Sequence, residues 1–223
     1  MVPPDGGFQV SSKVPPKASP CQRPASQDRS SIVGDSAIAA DGRLFITGGY
    51  KAGSAMIQVE KQEEDFVARE LYRTDNFGTH AHPPVLHNGH LYGQCSTNDR
   101  RDGLVCMDLD GNVKWQAENG EAYTGSHPGT RGTPTIDGDH LYHQSPLGNI
   151  VCLEAETGKQ VWATNSLERF GGENIMWALS ESLLIDGDRL ICCPGGSEAS
   201  VAALNKLTGE TVWKADPSGD KAG

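Results

Sequence analysis

From Ser36 onward, apolar and polar positions alternate in short runs broken by Gly-containing turns, the pattern of half-buried strands. The run from Ala37 to Phe45 carries Asp41-Gly42 at its middle, and it returns three times. The later copies run from Val85 to Tyr92 around Asn88-Gly89, from Pro134 to Tyr142 around Asp137-Gly138, and from Leu184 to Ile191 around Asp186-Gly187. Asn-Gly and Asp-Gly pairs tolerate the positive φ that a tight hairpin turn demands, so each run predicts a hairpin. The turn glycines Gly42, Gly89, Gly138 and Gly187 recur at a period of about 47 to 49 residues, within the range of repeat arrays.

A second hairpin follows each of the first. It runs from Gly103 to Trp115, from Gly148 to Trp162 and from Ser200 to Trp213; the earliest copy, near Met56 to Tyr72, is degenerate and ends in Leu71-Tyr72. Two hairpins per unit make four strands per unit. Four-stranded units at this spacing, each with its own Gly and aromatic signature, describe β-propeller blades. The fold expected is all-β, with about four antiparallel blades over residues 32–75, 76–124, 125–170 and 171–223. Four blades leave unpaired edges, which natural proteins avoid; a seven- or eight-bladed ring, completed by missing blades or by a homodimer, is the expectation. Residues 1–31, rich in Pro and Ser, read as a disordered leader.

Composition narrows the partners. The 223 residues carry a formal net charge of −10 and no Lys/Arg run, which argues against nucleic acid and against a polybasic membrane contact. No stretch reaches the roughly 18 apolar residues of a membrane span. The start of the chain shows no basic region followed by an apolar core, so no signal peptide is visible. The six cysteines lack the paired spacing of a zinc site. Cys106 and Cys152 share a repeat position with Ala203, a small packing site, and Cys95 aligns with the turn residues Ser145 and Pro194.

The segments Ala155 to Trp162 and Leu204 to Trp213, with a shortened copy from Met107 to Trp115, resemble the repeat of pyrrolo-quinoline quinone (PQQ) type β-propellers. The resemblance covers roughly residues 34 to 223. It implies structural roles for Gly158 and Gly209 as turn residues and for Trp115, Trp162 and Trp213 as anchors between blades. The family includes quinoprotein alcohol dehydrogenases and cofactor-free scaffolds, so the repeat alone does not choose between them. Its members are mostly exported or periplasmic in bacteria.

Candidate chemistry is sparse. The strands expected to line a channel lie near residues 33–36, 79–82, 130–133 and 179–182, which nominates Asp35, His80, His82, Arg131, Ser180 and Glu181. His80 and His82 are two apart and would share one face of a strand, although no third metal ligand is fixed. The loop from Phe170 to Trp177 is long for a repeat turn. Glu173 and Asn174 offer oxygen ligands to calcium, Trp177 a cover for a flat ring, and Arg131 a clamp for a quinone. Some quinoprotein dehydrogenases close a vicinal disulfide, which directs attention to Cys192-Cys193, where the surrounding residues differ. Asp35 and Glu181 are the channel carboxylates that glycan chemistry would need.

Blade-forming residues therefore stand in register while no catalytic residue is assignable. The expected function is a binding or scaffold module for protein, peptide or glycan, with neither cofactor nor metal. The alternative is a PQQ- and calcium-dependent alcohol or polymer dehydrogenase.

Overall fold

The computed structural model describes residues 36–48, 52–79, 82–97, 100–121, 123–125, 131–219 and 221. The leader expected over residues 1–31 lies outside them. Among the described residues sixteen strands form four antiparallel sheets in simple sequential order. The first sheet comprises β1 (Ser36–Ala40), β2 (Arg43–Gly48), β3 (Gly53–Gln62) and β4 (Asp65–Thr74). The second has β5 (Val85–His87), β6 (His90–Thr97), β7 (Arg100–Asp108) and β8 (Val113–Ala117). The third has β9 (Thr135–Asp137), β10 (His140–Gln144), β11 (Asn149–Glu154) and β12 (Gln160–Asn165). After a single turn of helix, α1 (Ser166–Phe170), the fourth has β13 (Leu184–Asp186), β14 (Arg189–Cys192), β15 (Ala202–Asn205) and β16 (Thr211–Lys214). These are four propeller blades.

Register explains why the repeat is spaced as it is. Each sheet aligns three side chains across its second, third and fourth strands. The rows are Phe45-Met56-Tyr72, Tyr92-Cys106-Trp115, Tyr142-Cys152-Trp162 and Ile191-Ala203-Trp213. A small or unbranched residue at the centre leaves room for the aromatic groups flanking it. Tyr92 and Trp115 rings lie 6.0 Å apart, and Tyr142 and Trp162 rings 6.4 Å apart.

The blades join through these rows. Trp115 Nε1 donates to the Ala155 carbonyl at 2.9 Å, and Trp162 Nε1 to the Lys206 carbonyl at 2.8 Å. The indoles press on the turn glycines of the next blade: a Cβ at Gly158 would lie 2.6 Å from Trp115, and one at Gly209 2.8 Å from Trp162. Tyr72 does the same against Gly111, so the degenerate first copy keeps the packing role with a smaller ring. Each interface buries its own apolar cluster. Phe45, Phe77 and Val105 pack between the first and second sheets, Leu104, Leu141 and Leu153 between the second and third, and Tyr142, Leu190 and Leu204 between the third and fourth. Trp213, in the equivalent position of the last sheet, is 40% exposed.

Two sequence expectations need correction. The segments 79–82, 130–133 and 179–182 are not strands where they are described; they lead into β5, β9 and β13. Pro83, Pro84 and Pro134 offer no N–H to a ladder. The N–H groups of Thr79 and Thr133 instead donate to the side-chain oxygens of Thr47 and Ser182. The first strands β5, β9 and β13 are the ones that approach one another between neighbouring sheets. Cys95 is not a turn residue: the β6–β7 ladder continues to Thr97 and Arg100, which keeps Cys95 buried inside a strand. Cys192 and Cys193 are free thiols, as are the other described cysteines. Cys192, the last residue of β14, faces the core, and Cys193, just beyond it, faces the solvent.

Candidate functional site: the connector rim

In an antiparallel blade the turns alternate between two rims. One rim carries the first-to-second and third-to-fourth turns. The other carries the second-to-third turns and the sheet-to-sheet connectors, residues 75–84, 118–134 and 171–183. Every nominated site residue that is described lies on the connector rim; Asp35 and His80 lie outside the described residues.

The last connector is built as a rigid platform. Asn165 caps α1 by accepting the Glu168 N–H at 3.1 Å, and Gly171 closes it in the left-handed region, with φ 65°. The Pro146 carbonyl then accepts from Asn174 Nδ2 at 2.7 Å and from the Leu179 N–H at 3.2 Å. One acceptor thus pins both ends of residues 174–179. Between these ends Ala178 adopts φ 62°, a conformation costing a residue with a Cβ roughly 1–2 kcal/mol. The loop presents Met176 and Trp177 to solvent at 68% and 50% exposure.

The preceding connector buttresses this platform. Tyr123 donates its hydroxyl proton to the Met176 carbonyl at 2.6 Å, and the Arg131 guanidinium lies 5.2 Å above the Tyr123 ring. Arg131, Tyr123, Met176 and Trp177 therefore follow one another across two connectors. Sequence reasoning finds Arg131 and Trp177 but misses Tyr123 and Met176. The signal available is the length of the 118–134 connector, the counterpart of the Phe170–Trp177 loop.

The remaining nominees scatter. Glu173 is fully exposed and pairs with Lys221 at 2.7 Å, which holds its carboxyl below the usual range. Glu181 accepts the Cys193 N–H at 3.1 Å, and burial raises its pKa. Ser180 is exposed. His82 is buried, outside any strand, and its charge is felt by His143.

His143 is the most perturbed titratable group of this rim, and no local pattern in the chain hints at it. Asn119 Nδ2 donates to His143 Nδ1, so the ring is neutral with its proton on Nε2, donated to the Gly132 carbonyl at 3.2 Å. Full burial, then repulsion from His82, pushes its pKa down to about 3. An unfolded histidine titrates near 6.5, so between pH 6.5 and about 3 the unfolded chain binds the extra proton and stability falls as the pH falls. Urea unfolding at pH 5 should give a stability about 2 kcal/mol lower than at pH 7 from this group. A His143→Gln variant should lose that part of the slope.

The quinone and calcium nominees Glu173, Asn174 and Arg131 each meet a neighbour within this chain. Glu173 is committed to Lys221, while Asn174 Nδ2 is spent on Pro146 and its Oδ1 is buried without a hydrogen-bond partner. Arg131 is stacked on Tyr123. Among the described residues no group of three His, Cys, Asp or Glu side chains is placed to hold a metal.

A family model for PQQ-type repeats, PQQ_2, described as outer membrane protein assembly factor BamB, matches residues 100–223, more than half of the chain. The chain belongs to this PQQ-like β-propeller family. Among curated proteins none matches. Among solved structures, the quinohemoprotein alcohol dehydrogenase of Comamonas testosteroni is 15% identical with a TM-score of 0.56, over 83% of this chain and 35% of that one. The quinohemoprotein alcohol dehydrogenase ADHIIG of Pseudomonas putida HK5 is 16% identical with a TM-score of 0.55, over 82% and 34%. AztD of Citrobacter koseri is 9% identical with a TM-score of 0.53, over 85% and 48%. At these identities the likeness is one of fold. The chain spans about a third of the length of the two dehydrogenases. No described helix of this PQQ-like chain is long and apolar enough to cross a membrane.

Proposed function

We propose that this chain is part of a PQQ-like propeller that docks a protein or peptide partner on its connector rim, without a quinone of its own. The observation that carries the reading is the pinned Met176-Trp177 pair. A large aromatic and a methionine are held in solvent by a loop whose two ends share the Pro146 carbonyl, beside an arginine already ordered on Tyr123. Pre-ordered Trp, Met and Arg side chains are the residue types enriched at protein interfaces, because little conformational entropy is lost when they bind. The family description as an outer membrane assembly factor supports a protein partner and a periplasmic location. The exposed Trp213 indole supports further blades beyond it, supplied by a second copy or by sequence outside this chain.

Peptides selected against the protein from a displayed library test the proposal. The double substitution Met176→Ala with Trp177→Ala should weaken the selected peptides at least tenfold, the ordinary loss for a removed anchor pair, while leaving the melting temperature unchanged. Equal binding by a folded double variant would refute the assignment of this rim.

A further inference from the structure

The opposite rim, which carries the first-to-second and third-to-fourth turns, holds a cavity of ≈ 760 Å³ between the second and third sheets. Its origin is visible by comparing blade interfaces. Ala155 and Lys206 occupy the same place in successive blades. Each accepts a tryptophan Nε1–H on its carbonyl, and each donates its N–H to the first-hairpin turn of its own sheet, at Asp139 and Asp188. Between the third and fourth sheets, Lys206 Nζ reaches across to Asp137 at 2.6 Å, with the lysine side chain only 18% exposed. Between the first and second sheets, the equivalent Leu109 packs into the apolar cluster. Ala155 supplies neither an ammonium nor a plug, and the space that Lys206 fills one interface later is left open.

The walls of this space are short of cations. Asp139, Glu154 and Glu156 line it, with Lys114 as the only Lys or Arg among the lining residues; Glu154 also meets Lys159 at 3.7 Å, so Asp139 and Glu156 carry the charge left for a ligand. His87, at the register position of Asp137, and His90 also line it. His90 Nδ1 donates to the Asn88 carbonyl at 3.0 Å, so in the neutral imidazole Nε2 carries the acceptor lone pair. The floor includes Tyr92, whose ring lies 6.5 Å from each of these two imidazoles and whose phenol burial keeps protonated. Carboxylates, an imidazole acceptor and an aromatic wall together suit a group that brings positive charge and N–H donors.

We propose that this cavity binds an organic cation, an alkylammonium or guanidinium group, in the place that Lys206 Nζ takes at the next interface. The cation arrives either on a side chain of a basic protein segment or as a free polyamine; the recognising chemistry is the same. The site is distinct from the connector rim, and neither reading depends on the other.

Calorimetric titration with spermidine, with an acetylated Gly-Arg-Gly-Lys peptide and with sorbitol tests it. Saturable binding of spermidine or of the peptide is expected, and none of sorbitol. Tighter peptide binding would point to a protein segment, and tighter spermidine binding to a free amine. The double substitution Ala155→Lys with His87→Asp copies the Lys206–Asp137 pair and should weaken binding at least tenfold in a protein that still melts as the parent does. Ala155→Leu copies Leu109 and gives a second filled cavity, judged by the same loss, should the double variant fail to fold. Absence of binding by both cations, equal binding of sorbitol, or undiminished binding by a folded cavity-filled variant would overturn the proposal.

Discussion

Gly158→Ala is expected to destabilise the protein by about 3 kcal/mol, far more than a turn glycine ordinarily matters. Two costs combine. Gly158 has φ 71°, and a Cβ there carries a backbone penalty of roughly 1–2 kcal/mol. The new methyl would also meet the Trp115 ring at 2.6 Å, so the indole must shift and weaken its 2.9 Å bond to the Ala155 carbonyl, a bond worth about 1 kcal/mol. Gly138 separates the two costs. It has φ 58° but nothing within 4 Å of the place a Cβ would take, so Gly138→Ala should cost only the backbone share, about 1 kcal/mol. Melting temperatures report the contrast: a loss of about 6–12 °C for Gly158→Ala against about 2–4 °C for Gly138→Ala, at the usual scaling for this chain length. Equal losses at the two positions would show that the indole does not rest on Gly158.

Trp162→Ala should cost more still, about 3–5 kcal/mol, as large-to-small changes at packed aromatic sites do. The indole lies between Tyr142, at 6.4 Å, and the Gly209 turn of the following blade, and it satisfies the Lys206 carbonyl. Its removal opens the interface of the third and fourth sheets. Trp213→Ala provides the control, because the same repeat position is 40% exposed in the last described sheet and has far less packing to lose; a cost near 1 kcal/mol is expected. Trp162→Phe should fall between the two, since it keeps a ring but loses the Nε1–H donor. Equilibrium denaturant unfolding of the three variants measures all of these directly.

These contrasts also show what is legible in the sequence. The turn glycines and the aromatic positions betray the blades because both report on backbone geometry and on a large buried ring, which vary little between repeats. Even the degenerate first copy is recoverable in register, since Tyr72 stands opposite Met56 as Trp115 stands opposite Cys106. The boundaries of the innermost strands are not legible. Thr79 and Thr133 satisfy their N–H groups with side-chain oxygens from elsewhere in the fold, and no local pattern encodes such a partner. Cys95 reads as a turn residue because the β6–β7 hairpin is longer than its counterparts, a difference that shifts a turn without changing the alternation.

The candidate site is legible only in part. A long loop ending in Met176-Trp177 stands out in sequence, but the reason it matters does not: its rigidity comes from Pro146, 28 residues before Asn174, and from Tyr123, 53 residues before Met176. His143 escapes notice because it reads as one more alternating residue of a strand. Its perturbation comes from burial against Asn119 and Gly132, which converge only in the fold. The cavity beside Ala155 is an absence of side chain, visible only when Leu109, Ala155 and Lys206 are superposed as one position.

The central claim is that this propeller segment serves as a docking module and carries no quinone. Calorimetric titration of the purified protein with PQQ in the presence of calcium, followed by dye-linked oxidation of a primary alcohol, tests it most directly. The account predicts no saturable heat and no dye reduction. Saturable binding that Arg131→Ala or Glu173→Gln weakens, accompanied by dye reduction, would contradict it and make the connector rim a cofactor site.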